Sequence, residues 1–185
     1  MPTALPQPLA DYLAGHHVMT LATHGAAGPW AAAVFYASEG ASLIFLSSPT
    51  TRHCQNLALD PRCAATIQED YSDWAQIKGI QLEGRVVELQ GEDEKRAQRL
   101  YGEKFPIVGP LAKMPPAIVK ALAKVRWYRL LPERMHFIDN SQGFGHREEI
   151  ELRPPLTGPP GAVSPAPTLA ELQGRAVRIA DRAIA

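Results

Sequence analysis

The stretch Leu43-Ile44-Phe45-Leu46-Ser47-Ser48-Pro49-Thr50-Thr51-Arg52-His53-Cys54-Gln55-Asn56-Leu57 passes from an apolar, strand-like run into a short helix that stops at Asp60-Pro61. Hydroxyls, a guanidinium and an imidazole therefore collect where a strand gives way to a helix N-terminus. That place offers unpaired backbone N–H groups and a partial positive charge, which suit a phosphate. Ser and Thr are also the preferred N-cap residues, so a well-capped surface turn is the competing reading of the same letters.

Working outward, short segments with turn signals at hairpin spacing lie on the N-terminal side. A helix is expected over 8–13, closed by Gly15, then a half-buried strand over 17–23. A turn over 25–29 leads to a strand over 30–36, and Ser38-Glu39-Gly40 turns the chain into the strand at 42–46. On the C-terminal side a strand is expected over 63–68 and a long one over 75–89. Gly79 and Gly84 in that strand fit bends around a barrel or close backbone approach. A helix over 92–101 ends at Phe105-Pro106, and another is expected over 117–123 behind Pro115 and Pro116. Residues 127–131 and 135–139 form a last strand interrupted by Pro132, which belongs on an edge or at a bulge. The pattern is that of an antiparallel sheet or barrel.

The chain has 185 residues, 45% hydrophobic and 21% charged, with zero formal net charge. That is enough for one domain with a real core, and it lacks the basic footprint of a nucleic-acid binder. No His-Glu-x-x-His or Cys-x-x-Cys spacing points to a metal. Cys54 and Cys63 read first as two buried free thiols, then as a disulfide, and last as a reactive thiol. No basic-then-apolar leader and no apolar run of ~20 residues occurs, so the chain is expected to be cytoplasmic.

Three parts are expected: a domain over 1–151, a Pro/Gly-rich linker over 152–167 and an amphipathic helix over 168–185. The linker holds Pro154, Pro155, Pro159, Pro160, Pro165 and Pro167. The helix opens with a Thr168–Glu171 capping box and carries Leu169, Leu172, Val177, Ala180 and Ile184 at helical spacing. A lone helix of that length is marginal in water, so docking on the domain or on a partner is expected first, disorder next and a membrane surface last.

In order and spacing, Thr51-Arg52-His53, Asp60-Pro61, Ile80-Gln81-Leu82-Glu83-Gly84, Trp127-Tyr128-Arg129-Leu130 and Pro132-Glu133-Arg134-Met135-His136-Phe137 resemble the pyridoxamine 5'-phosphate oxidase-like family. These are the FMN-binding split-barrel proteins, and the resemblance covers residue 5 to about 150. It implies a mainly β fold with flanking helices, an antiparallel split β-barrel of Greek-key type, with the linker and C-terminal helix appended. It implies a homodimer with FMN at the interface and a flavin-dependent oxidoreductase acting on an unidentified small molecule. Ser47, Thr51, Arg52 and His53 would hold the phosphate, with His53 standing where the family usually has Lys. The strand at 31–36, with Ala32 and Val34, would edge the flavin ring. Gln68 and Trp74 lie where the opposite subunit often contributes, although Trp74 reads more readily as a core or interface aromatic.

Gln81, Glu83 and Arg85 alternate with Ile80, Leu82 and Val86, as any half-solvated strand would. Gln81 is the weaker candidate for the ring's polar edge. Asn140-Ser141-Gln142-Gly143-Phe144-Gly145-His146-Arg147 is a second cluster, able to cover a cofactor or simply to turn. Pyridoxamine phosphate oxidases carry Arg-x-His near their C-terminus, and this chain has His146-Arg147 instead, which argues against vitamin B6 oxidation. No catalytic residue and no metal ligand is nominated, because flavin would carry the electron chemistry. Two rivals stand beside this reading. The same barrel can host haem, with His136 or His146 as ligand, or a deazaflavin. Or the chain is a non-enzymatic flavin-storing or ligand-sensing module whose C-terminal helix binds a partner.

Overall fold

The structure is a computed structural model, and it describes residues 5–106 and 122–152. The chain divides into two compact units, Met1–Arg153 and Pro154–Ala185. The linker, the C-terminal helix and most of the helix expected over 117–123 lie outside the described residues.

The described elements run α1 (Gln7–Gly15), β1 (Val18–Gly25), β2 (Gly28–Phe35), β3 (Ala37–Glu39), β4 (Ser42–Ser47), α2 (Arg52–Leu59), β5 (Arg62–Gln68), β6 (Lys78–Glu88), α3 (Gly91–Lys104), β7 (Arg126–Asp139) and β8 (Arg147–Glu151). One antiparallel sheet joins the strands in the order β2-β1-β5-β6-β7-β4-β3, with β8 on β7. β6 lies along the full length of β7, while the other side of β7 is shared. Its first part pairs with β4, Tyr128 opposite Phe45, and its second part pairs with β8. The sheet curls into a half-barrel with helices around it, the split-barrel fold that the sequence implies.

Alternation explains the core. On β6 the side chains of Ile80, Leu82 and Val86 are buried, while Gln81, Glu83 and Arg85 are exposed. The buried set meets Met19 and Leu21 of β1, Phe45 of β4, and Leu130, Met135 and Phe137 of β7. Leu9 and Leu13 of α1 close this core from one side, and Cys54 and Leu57 of α2 from another. β4 is buried on both faces, and its Ile44 joins a second core with Trp127 under Ala97 and Tyr101 of α3. Glu39 of β3 ties α3 down by pairing with Arg96 and, at 2.9 Å, with Arg129 of β7.

Several boundaries differ from the sequence expectation. β3 adds a strand where a turn was read, and Gly40, at φ 58°, makes the turn instead. β6 begins at Lys78 because Trp74–Gln76 is a 3-10 turn, with the Asp73 carboxylate accepting from Ala75 N–H at 2.9 Å. β7 runs unbroken through Pro132. Its register slips between Glu83 and Gly84, so Pro132 sits at a bulge as anticipated. Gly84 is obligatory there, since a Cβ would lie 2.2 Å from the Leu131 carbonyl oxygen. β8 adds a strand over residues for which the sequence gives no expectation beyond Arg147. No helix among the described residues is long and apolar enough to cross a membrane.

Candidate functional site

The strand-to-helix junction brings three of the four expected phosphate residues together. Ser47 Oγ lies 2.7 Å from His53 Nε2 and 3.3 Å from Thr51 Oγ1, which is itself 3.2 Å from His53 Nε2. Ser47 and His53 are buried, so His53 is neither solvated nor aimed outward as a free donor. Thr51 is the N-cap residue of α2 by position, yet its side chain does not cap the helix. Its hydroxyl donates to the Ser48 carbonyl at 2.8 Å. The first intrahelical bond is Gln55 N–H to the Thr51 carbonyl, at 3.0 Å. The backbone N–H groups of the first turn therefore lack intrahelical partners, and no side chain caps them.

Arg52 departs from this group. Its guanidinium donates to the Ala27 carbonyl at 2.8 Å and lies 4.6 Å from the centre of the Trp30 ring. A fixed positive charge thus stands at the rim of the helix start, held by the β1–β2 turn. Gly25, the last residue of β1, has no room for a Cβ, because Asn56 Oδ1 would lie 2.0 Å from it. Asn56 in turn donates to Thr23 Oγ1 at 3.1 Å, locking α2 onto β1.

β2 ends the sheet, so its outer edge has no strand partner among the described residues. Tyr36 N–H donates to the His17 carbonyl at 2.9 Å, one pair beyond Val18↔Phe35. Bonded and non-bonded pairs alternate along an antiparallel ladder. Ala32 and Val34 share the phase of Tyr36 and bond inward to β1. Ala31, Ala33 and Phe35 are the residues that turn backbone N–H and C=O to the open edge. Val34 is also part of the main core, and Ala32 is half-buried. The strand expected to edge the ring is thus the end strand of the sheet, but Ala32 and Val34 within it bond inward to β1; a run of alanines carries no signal that fixes the phase.

Gln68 and Trp74 are not brought to α2 within one chain. Gln68 ends β5 five residues from Cys63, roughly 17 Å of strand, and accepts a hydrogen bond from Thr66 Oγ1 at 2.8 Å. Trp74 is 70% exposed, so it is not a core aromatic. Its ring stacks on Phe144 at 5.9 Å. The cluster at 140–147 is a built turn: Asn140 Nδ2 donates to the Trp74 carbonyl at 2.7 Å, and its Oδ1 accepts from Gly145 N–H at 3.1 Å. His146 pairs with Glu148 at 3.2 Å.

Cys54 and Cys63 are both free thiols. Burial pushes Cys63 up to about 12. Burial also opposes ionisation of Cys54, but hydrogen bonding from His53, Thr51, Tyr128 and Ser47 outweighs it and holds that thiol below its ordinary value. A cavity of roughly 280 Å³ lies beside Cys54, lined also by Leu57, Val86, Glu88 and Tyr128. Sequence reasoning passed over Tyr128, because only the pairing of β7 with β4 carries it to α2.

The family model for pyridoxamine 5'-phosphate oxidase matches residues 5–139. The chain belongs to the pyridoxamine 5'-phosphate oxidase-like family. Among curated relatives it is similar to a UPF0306 protein of Photorhabdus laumondii, 33% identical over 138 residues, which is 74% of this chain and 88% of that one. Among solved structures the fold is similar to a haem-binding protein of Mycobacterium smegmatis, with a TM-score of 0.62 and 21% identity. That likeness covers 80% of this chain and 60% of the other, about three fifths of its length. HutZ, the haem storage protein of Vibrio cholerae, is similar with a TM-score of 0.55 and 19% identity over 71% of this chain and 92% of that one. At such identities these structures speak to the fold alone.

Proposed function

We propose that the family member described here binds FMN between the start of α2 and the open edge of β2, and acts as a flavin-dependent oxidoreductase on a small molecule, as a homodimer. The observation that carries the reading is the first turn of α2, which opens with Ser47 and Thr51 hydroxyls around it, Arg52 on its rim and no side-chain cap. Capping was the competing explanation for those residues, and the Thr51 hydroxyl is bonded elsewhere. A phosphate would take the free N–H groups and the helix dipole, with Arg52 supplying the permanent charge. His53 would orient the Ser47 hydroxyl rather than lend a fixed charge, so the site has one cation fewer than a Lys would give. The outward groups of Ala31, Ala33 and Phe35 match the hydrogen-bonding rim of a planar ring. When bound, FMN would supply electron transfer, and the chain would supply position and a walled slot.

A haem reading has one observation in its favour. The Nδ1 of half-buried His136 has no hydrogen-bond partner, a state that buried polar atoms rarely keep. The visible spectrum of the purified protein separates the two. Flavin bands with FMN released on denaturation support the proposal; a Soret band lost in His136→Ala transfers the site to haem. A colourless protein that takes up neither added FMN nor haem overturns both, and reductant turnover in a flavin-loaded sample distinguishes an enzyme from a binding module.

A further inference from the structure

The cavity beside Cys54 shares no lining residue with the proposed FMN slot. Pro49, Leu57, Ala58 and Val86 give it apolar walls, and three groups bring chemistry to it: the Cys54 thiol, the Tyr128 hydroxyl and the Glu88 carboxylate. At roughly 280 Å³ it has room for a small organic molecule. Tyr128 is only 6% exposed, and its ring is fixed by stacking on Phe45 at 5.3 Å. Its hydroxyl has no oxygen or nitrogen partner among the described residues and faces the thiol. A buried hydroxyl normally finds an acceptor, so this one is left as a donor for whatever fills the cavity. Glu88 is matched by Arg126, whose Nε lies 3.8 Å from its carboxylate, so the cavity carries no uncompensated charge.

The two cysteines differ in the opposite sense from their exposure. Cys63 is the more solvent-accessible thiol, but it packs against the core, lines no part of this cavity and is pushed up to about 12 by burial. Cys54 is buried, yet it borders the cavity, and the hydrogen bonding around it holds the thiol below its ordinary value. Surface exposure alone would make Cys63 react first. Cavity access and thiolate character favour Cys54.

We propose that this cavity captures a small neutral α,β-unsaturated carbonyl compound covalently on Cys54, with the Tyr128 hydroxyl donating to the carbonyl oxygen. A thiol alone accepts any electrophile. A hydroxyl donor beside it selects one whose reaction builds charge on an oxygen, and in a conjugated carbonyl that oxygen is three bonds from the attacked carbon. The sulfur lone pair forms a C–S bond to the β-carbon. The π pair of the C=C bond moves to the α-carbon and spreads onto the carbonyl oxygen, where the Tyr128 hydroxyl meets the developing charge. The proton that leaves the thiol is balanced by one that arrives on the α-carbon. The product is a thioether, and no external oxidant or reductant is needed. Apolar walls and a matched carboxylate favour a neutral reactant over an anion. The capture requires no flavin, so it stands apart from the cofactor reading.

The full chain, treated with N-ethylmaleimide at neutral pH and followed by peptide mass spectrometry at both cysteines, tests this. Cys54 should be modified about tenfold faster than Cys63 or more. Tyr128→Phe keeps the ring on Phe45 and removes the donor. It should slow N-ethylmaleimide addition to Cys54 by about tenfold or more, and slow iodoacetamide far less, because that attack expels iodide and builds no oxyanion. Ala58→Leu narrows the cavity from an exposed helix position. It should slow both reagents at Cys54 and leave Cys63 as it was, with circular dichroism confirming the fold of each variant. Cys63 reacting first in the wild type overturns the proposal. So does a Tyr128→Phe effect of equal size for the two reagents, which would make the hydroxyl a structural partner of the thiol alone. Undiminished Cys54 reaction in Ala58→Leu does the same, since reagents would then reach the sulfur by another route. A chain that takes up no FMN but labels in the expected order loses the cofactor reading and keeps this one.

Discussion

The start of α2 and the turn at 140–147 are both short, polar, turn-forming stretches, and they use their hydrogen bonds in opposite ways. Around α2 the side chains bond to one another: Ser47, Thr51 and His53 converge, and the backbone N–H groups of the first turn are left without a cap. At the other turn the side chains bond to backbone: Asn140 and Asp139 satisfy main-chain groups, and the aromatic rings are left exposed. The first arrangement presents dipoles and suits an anion. The second presents apolar surface and suits a protein or a ring. Composition alone does not separate them; the difference lies in which partner each polar side chain takes.

The frame shared by both regions sets the largest effect. Gly84→Ala should push the β6–β7 bulge apart, because the added Cβ meets backbone atoms of Leu131 and Pro132 rather than a side chain that can rotate. A loss of about 3 kcal/mol or more in chemical unfolding is expected; an unchanged midpoint would mean that the two strands cross differently. Arg52→Ala probes the α2 side alone. It should cost roughly 1.5–3 kcal/mol of FMN affinity in titration, while the emission of a stacked Trp74 stays as it was. Equal FMN affinity in a folded variant would remove Arg52 from the site.

Asn140→Ala probes the opposite side. Losing two side-chain hydrogen bonds should lower stability by about 1–2 kcal/mol and shift Trp74 emission, with Cys54 labelling unaltered. The smallest effect is a displacement in pH. Alkylation of Cys54 should rise with pH at a lower midpoint than that of an ordinary thiol, whereas Cys63 should lag toward about 12. His53→Ala removes the largest hydrogen-bonding contribution to Cys54 and should raise its midpoint without moving that of Cys63. Identical profiles for the two thiols would mean that the α2 cluster does not act on the sulfur.

Much of the barrel is legible in the letters because burial imposes a period of two. β6 alternates cleanly, and Pro132 marks its own bulge. β8 escapes because Arg147-Glu148-Glu149-Ile150-Glu151 has almost no apolar alternation; it is a strand through its backbone pairing to β7 alone. The α2 cluster is legible because its residues are neighbours in sequence. The open edge of β2 is not, since Ala32 and Ala33 look alike until a single hydrogen bond from Tyr36 fixes the phase. Trp74 reads as either a core or an interface aromatic because its exposure, not its letter, separates the two, and at 70% exposed it is not in the core. Tyr128 belongs with Cys54 only after the sheet has curled.

That curling depends on β7, which holds β6 on one side and both β4 and β8 on the other. The strands that close the sheet, with Phe45 against Tyr128, are distant in the chain, so closure requires a long loop to form before it is rewarded. Such non-local pairing belongs with folding in milliseconds to seconds rather than microseconds. During synthesis β1 to β6 must also wait for β7 to emerge, with the apolar faces of β4 and β6 uncovered. A ribosome-bound chain that ends before β7 is therefore expected to be open to protease and prone to aggregate, and completion of that one strand converts it into a closed, resistant domain.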